Sequence, residues 1–205
     1  MLLSCPLYLL VGRTMELFNY LSGIKPAAGR LLVSEPLLPD PNFERSVILL
    51  CAHDEEGSFG FVLNKPAGSM VGELVEWPGE GRLPVYIGGP VQQDTLQFLH
   101  CFNDLEGAKE VLPGVYWGGD FEALRERAMQ GRVEEEQVRF FLGYSGWSAG
   151  QVEDELKENA WIVSDQVDHG LIFRTEPEEM WHQVLLRMGG RFARFANYPQ
   201  DPRLN

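Results

Sequence analysis

Lysine and arginine are scarce in this chain. Seventeen of them stand against thirty aspartates and glutamates in 205 residues, a formal net charge of −13. Duplex DNA binding draws most of its affinity from cations that displace counterions from phosphates, and adhesion to anionic lipid uses the same kind of surface. The balance therefore argues against nucleic acid and against a membrane as partners, and it suits a soluble cytoplasmic protein kept dispersed by self-repulsion. Cysteine is scarcer still. Cys5, Cys51 and Cys101 are an odd set without C-x-x-C spacing, which excludes a disulfide framework and a zinc ribbon. The four histidines, His53, His100, His169 and His182, include no H-x-x-x-H pair. No metal and no cofactor is expected. No apolar run approaches the roughly 20 residues of a membrane-spanning helix, and there is no internal repeat, low-complexity tract or linker.

Glycine and proline are plentiful instead, at 22 and 13 residues, and they point to many turns between short strands. The apolar start from Leu2 to Val11 lacks a basic region before it and is too short to span a bilayer. Residues 1–14 are read as an over-extended start or a disordered lead, with Met15 the true start. Residues 15–190 form one domain, and residues 191–205 form a basic, aromatic tail.

Gly29 to Ser34 reads as a first strand. Ser46 to Ala52 is a continuous apolar run covered on both faces, and Phe59 to Leu63 returns antiparallel across a polar loop longer than the tight two-residue type. Val71 to Trp77 is a short helix. Val85 to Ile87, Thr95 to Phe102 and Val111 to Trp117 are strands, the last with Pro113-Gly114 as a bulge or edge signal. Asp120 N-caps a helix that shows Phe121, Leu124 and Ala128 on one face and stops at Gly131. Val138 to Leu142 is a strand that breaks at a glycine-rich aromatic turn, Gly143 to Trp147. It then enters a helix capped by Ser148 and Gln151, with Ala149, Val152 and Leu156 buried. Trp161 to Ser164 and Leu171 to Arg174 are strands, and Thr175 with Glu178 caps a last helix carrying Met180, Trp181, Val184, Leu185 and Met188. Strands first, mostly as hairpins, with helices inserted later, give an α+β fold with a mixed, largely antiparallel sheet.

Several constellations could carry chemistry. Gly143-Tyr144-Ser145-Gly146 approaches the nucleophile elbow, but Trp147 stands where the second glycine belongs; Asp165 and His169 follow in workable order. A tight turn with its serine bonded to backbone is the better account. Gly88-Gly89-Pro90 follows a strand but lacks phosphate-loop spacing, and proline removes a donor. Asn64-Lys65-Pro66 ends a strand that could present an amide and an ammonium to a ligand. Cys51 and His53 share one side of a strand, while His100 and Cys101 point to opposite faces. Glu153, Asp154, Glu155 and Glu158 form an acidic helix face, read as solvated. The tail interleaves Arg187, Arg191, Arg194 and Arg203 with Phe192, Phe195 and Tyr198, which is read as aromatics packed on the chain's own domain rather than a single-strand groove.

Gly29 to Leu32, Ser34-Glu35-Pro36, Asp40 to Val47, His53 to Gly57, Gly60 to Pro66, Gly88 to Val91 with His100, and the run from Gly143 to Trp161 together resemble the AlgH/YqgE family of bacterial proteins. The resemblance spans about Gly29 to Gly190. It implies a bifurcated sheet folded into a pseudo-barrel with flanking helices. The family carries a transcriptional-regulator label but no established biochemical function. The expectation is a non-enzymatic cytoplasmic regulatory or interaction protein, monomeric or weakly dimeric, whose partner is an unidentified protein or small molecule. Its surface would comprise Asn64, Lys65, Gly88, Gly89, Pro90, His100, Tyr144, Ser145 and Trp147. The alternatives are a small-molecule binder or enzyme with a pocket near Gly143–Trp147, and a DNA-binding regulator that the charge disfavours.

Overall fold

Strand β1 (Leu31–Ser34) is buried along its whole length because it has a neighbour on each edge and a layer on each face. It pairs antiparallel with β2 (Val47–Asp54) on one side and with β10 (Trp161–Ser164) on the other. The computed structural model describes residues 23–79 and 81–199. The expected lead over 1–14 and the end of the tail from residue 200 lie outside the described residues.

From β2 the chain returns in β3 (Gly57–Val62), runs through β4 (Pro66–Met70), α1 (Val71–Leu74) and β5 (Pro84–Ile87), and enters the long strand β6 (Val91–His100). A hairpin of β7 (Lys109–Leu112) and β8 (Val115–Trp117) leads to α2 (Phe121–Met129) and, through a short 3-10 turn, to β9 (Val138–Ser148). Helix α3 (Gln151–Lys157) precedes β10, and α4 (His169–Arg174), α5 (Pro177–Met188) and α6 (Phe192–Phe195) close the described chain. The sheet order is β10-β1-β2-β3-β9-β6-β8-β7, with β5 joining β9 and β4 joining β5. Only the β5–β9 pair is parallel among the strand pairs of the described residues. The sheet forks at β9 and is not closed: among the described residues β10 and β7 do not pair.

The two-residue period of a strand sorts the core. Leu31, Val33, Val47 and Leu49 face the layer of α4 and α5, where Leu171, Ile172, Met180, Val184 and Leu185 are buried. Leu32, Ile48 and Leu50 face the opposite way, onto Val152 of α3, Trp147 and Trp161. A separate cluster under α2 joins Leu124 to Phe98, Val138 and Phe140 in the other limb of the fork.

Several sequence expectations are corrected. The β2–β3 loop is the tight type after all, since Asp54 pairs with Gly57 and leaves only Glu55-Glu56 between; the Asp54 carboxylate accepts the Glu56 N–H at 2.9 Å and folds the turn. Pro113-Gly114 is the turn of a hairpin rather than a bulge in one strand. Leu171 to Arg174 is helical, because Asp168 accepts the Leu171 N–H at 2.7 Å and starts a turn there. Helix α5 begins one residue later than the Thr175 cap, at Glu176 with Pro177 in the first position, where proline's fixed φ is already helical. Gly143 to Trp147 is no turn: it is the second half of β9. The turn comes at Ala149-Gly150, so Ala149 is exposed. Gln151 does reach back to the Ser148 N–H at 3.0 Å, while Gly150 at φ 76° is the N-cap.

Glycine makes the fork possible. At Gly143, φ is 66°, and a Cβ would stand 2.5 Å from the Val91 carbonyl oxygen. At Gly89, φ is 154°, and a Cβ would lie 2.3 Å from both Ser145 Oγ and the Tyr144 carbonyl carbon. Gly89→Ala combines forbidden backbone geometry with a backbone clash. It is expected to destabilise by about 3 kcal/mol or to prevent folding, measured by urea denaturation beside Gly79→Ala, which meets open space.

Candidate functional site

The expected site residues divide into four groups. Gly88, Gly89, Pro90, Tyr144 and Ser145 do meet, at the fork. Ser145 is fully buried, and its hydroxyl donates to the Gly88 carbonyl at 3.1 Å. That carbonyl also accepts the Val62 N–H, and the Gly88 N–H donates to Leu142. The serine thus pins three strands and has no imidazole partner among the described residues. Tyr144 lies half-buried with its ring edge-on to Phe59.

Trp147 faces the side of the sheet opposite Tyr144. Its indole N–H donates to Glu155 Oε2 at 3.0 Å, and that same oxygen accepts the Trp161 N–H at 2.6 Å. Gln151 donates to Glu155 Oε1 at 2.9 Å. The acidic face expected of α3 is therefore split. Glu155 turns inward as the common acceptor of two buried indoles, Glu153 sits 3.3 Å from His53, and Asp154 pairs with Lys157.

His100 is fully buried. Its Nδ1 accepts the Phe102 N–H at 3.1 Å, which assigns the proton to Nε2, and Nε2 donates to the Gly118 carbonyl at 2.8 Å. Burial pulls its pKa below the ordinary histidine value, so the ring is a neutral polar pin. Next to it, Cys101 Sγ lies 3.1 Å from His169 Nε2. This pair was not legible in sequence, being 68 residues apart. Burial pushes the Cys101 thiol up to about 11, which keeps it protonated near neutrality. Among the described residues, no group of three His, Cys, Asp or Glu side chains could hold a metal ion.

Asn64 and Lys65 stand apart from all of these, on the wall of a cleft of about 610 Å³. The loop before β2 supplies Glu44 and Arg45, the link after β3 supplies Asn64 and Lys65, β4 begins there at Pro66, and α5 supplies the first-turn residues Pro177, Glu178 and Glu179 with Trp181 and His182. Arg45 is held in left-handed backbone at φ 47°, a conformation that a long side chain rarely adopts. Asn64 secures it: its Oδ1 accepts the Val47 N–H at 2.9 Å and its Nδ2 donates to the Arg45 carbonyl at 2.8 Å. The Arg45 guanidinium lies 4.7 Å from the Trp181 ring centroid and donates from Nη2 to the Tyr198 carbonyl, while its buried Nε has no partner among the described residues. Trp181 in turn donates its N–H to the Ser34 carbonyl at 3.0 Å. Under the wall, Arg139 is 6% exposed and donates to the Leu63 carbonyl and to Tyr86 Oη, each at 3.1 Å.

Sequence reasoning placed Trp181 only in a buried helical stripe, and Arg45 only within a matching segment. The readable signal was a cation set directly against the apolar run of β2. The signal for His182 was its place on the edge of the α5 stripe.

The sequence profile of the AlgH-like family matches residues 31–193. A UPF0301 protein of Chlorobaculum tepidum is 45% identical over 183 residues, covering 89% of this chain and 96% of that one. Another, of Bacteroides thetaiotaomicron, is 38% identical over 185 residues, covering 90% and 94%. The solution structure of the AlgH protein from Pseudomonas aeruginosa superposes with a TM-score of 0.68 at 29% identity, over 86% of this chain and 98% of that one. A crystal structure of a protein from Corynebacterium diphtheriae shares the fold with a TM-score of 0.70 at 22% identity, over 85% and 94%. None of these names states a ligand or a reaction.

Glu155→Ala strips two buried indoles of their charged acceptor and is expected to destabilise by about 3 kcal/mol. Ser145→Ala, which removes one neutral donor, should lose about 1 kcal/mol; urea denaturation of both orders them. Peptide-resolved alkylation by iodoacetamide should label Cys101 slowly at pH 7 and accelerate as pH rises above 9 toward 11, because a raised thiol pKa withholds the thiolate until then. Cys51, buried and shifted in the same direction, should remain unlabelled until the protein unfolds.

Proposed function

The chain belongs to the AlgH-like family, and on that premise we propose that it is a non-enzymatic regulatory or interaction protein of the cytoplasm whose binding surface is the Arg45–Asn64–Lys65–Trp181–His182 cleft. One observation carries this reading. The recess is large enough for a small molecule or a side-chain cluster and combines cationic and amide donors, three carboxylates and an indole, yet no hydroxyl or thiol stands among its described lining residues. Two nucleophiles outside the cleft are held back: Ser145 is bonded to Gly88 inside the fork, and Cys101 is kept protonated by burial; Ser58, also outside the cleft, lies 2.7 Å from His53 Nδ1. Among the described residues no helix is long and apolar enough to cross a membrane, in keeping with an acidic chain that acts away from lipid.

The fork around Gly143–Trp147 supports a ligand pocket less well than the cleft does, since backbone fills the space beside Gly88 and Gly89. A DNA-binding reading is weaker again. Arg125, Arg127, Arg174 and Arg187 each sit against a carboxylate, and the net charge is −13.

The test is affinity capture from soluble bacterial lysate at low salt, with nuclease, comparing the native protein with the Lys65→Glu/His182→Glu double variant. Both side chains are half-exposed, so the fold should survive, as thermal unfolding will check. The expected result is a stoichiometric partner, protein or small molecule by mass spectrometry, that the double variant loses. Equal capture by both proteins would remove the cleft from this reading. Turnover of a captured small molecule would replace it with an enzyme.

A further inference from the structure

We propose that the cleft is an anion site, built to take a carboxylate or a phosphate group. The inference rests on the reading of the cleft as the binding surface, and it deepens that reading by naming the chemistry of the ligand.

Cations in so acidic a chain should find carboxylates nearby, and many do. Arg125 lies against Glu122 and Glu76, Arg127 against Asp104, Arg174 against Glu136, Arg187 against Asp168, and Lys157 against Asp154. Around the cleft the pattern reverses. Lys65 and His182 have no hydrogen-bond or ion-pair partner among the described residues. Among the described residues, Arg45 has one backbone carbonyl and the face of an indole, with no carboxylate and an unpartnered Nε. Directly behind Asn64, the guanidinium of Arg139 is buried on a carbonyl, a phenol oxygen and the Tyr86 ring, 4.2 Å from its centroid. It too has no carboxylate within ion-pair distance among the described residues.

A buried or half-buried cation without a counterion is electrostatically unfinished. Arg45 and Lys65 on the recess, with Arg139 buried behind Asn64, are cations that an anion would complete. Glu178 and Glu179 are exposed at the first turn of α5, where solvent and salt screen them, and Glu44 is half-buried on the same rim. Arg45 stacks on the buried Trp181 ring and is held by Asn64, where the effective dielectric is lower and its charge counts for more. The acidic rim also restricts what enters. It repels a polyanion such as nucleic acid, yet a single carboxylate or phosphate can reach the floor. The stacked guanidinium supplies a planar fork, of which Nη2 already donates to the Tyr198 carbonyl and the remaining N–H groups suit an oxygen of either group. The left-handed backbone at Arg45, held by both ends of the Asn64 amide, fixes that fork in advance, so less freedom is lost on binding.

The experiment is a titration of uniformly labelled full-length protein, followed by NMR at the Arg45 Nε–Hε and His182 ring resonances. Inorganic phosphate and acetate are the probes, in separate arms at low salt, with sodium chloride at matched ionic strength as the control. The expected result is a saturable shift with a dissociation constant on the order of millimolar, weakened about tenfold by Lys65→Gln and unchanged by Lys157→Gln. Saturation by phosphate alone, by acetate alone or by both supports the site and identifies the head group. Absence of saturation in both arms, or equal shifts with chloride or in Lys65→Gln, would overturn it. If anion binding is present but the double variant still captures its partner, the functional reading fails and the anion site stands. If no anion binds but capture is lost, the cleft remains an interface and the anion inference fails.

Discussion

Everything in this fold depends on how one strand shares its edges. β9 offers one edge to β6 along most of its length and divides the other between β5, beside Phe140 to Leu142, and β3, beside Ser145 to Ser148. Two limbs of sheet therefore diverge from a single strand. The place where they part must admit three backbones at once. Side chains are excluded there by carbonyl oxygens within 2.5 Å of where a Cβ would stand. Ser145 closes the junction with one hydrogen bond to the carbonyl that β3 also uses.

The limbs have different covers. α4 and α5 seal one face of the β1–β2–β3 limb, and α3 with its Glu155–indole cluster seals the other. Both faces of that limb are dry, which explains why β2 reads as an unbroken apolar run rather than an alternating one. The cleft opens beside this limb, where the start of β2, the end of β3 and the start of α5 converge. It inherits rigidity from them. Trp181 is tied to β1 through Ser34, Asn64 ties β2 to Arg45, and Arg139 ties β9 to the residue before Asn64.

Strands whose residues are apolar and β-branched were legible, and β1, β2, β5 and β10 lie within a few residues of their expected positions. Glycine misled where it served packing rather than turning. Gly143 and Gly146 read as a loop, but one accommodates a neighbouring carbonyl and the other lies in the extended strand. Leu171 to Phe173 is too short for its apolar run to choose between strand and helix; the Asp168 cap chose. Glu155 lies in an acidic stretch that composition assigns to solvent, and only the tertiary approach of Trp147 and Trp161 reverses that. The cleft was half legible. Asn64 and Lys65 carried the signal of a strand end, whereas Arg45 and His182 gain their meaning from a neighbour 19 residues away in one case and from a helix far along the chain in the other.

The pairing of β1 has a consequence for synthesis. Leu31 meets Leu49 on one side and Ser164 on the other. The first partner leaves the ribosome soon after β1, but the second follows only after most of the domain. At ordinary elongation rates the interval is on the order of ten seconds. Throughout it, Leu31-Leu32-Val33 presents an unpaired, wholly apolar edge that the finished protein conceals, the kind of edge that recruits strands from other chains. The nascent chain is thus most vulnerable to aggregation at its beginning, and a holdase that covers this strand would act before any other part of the fold needs help.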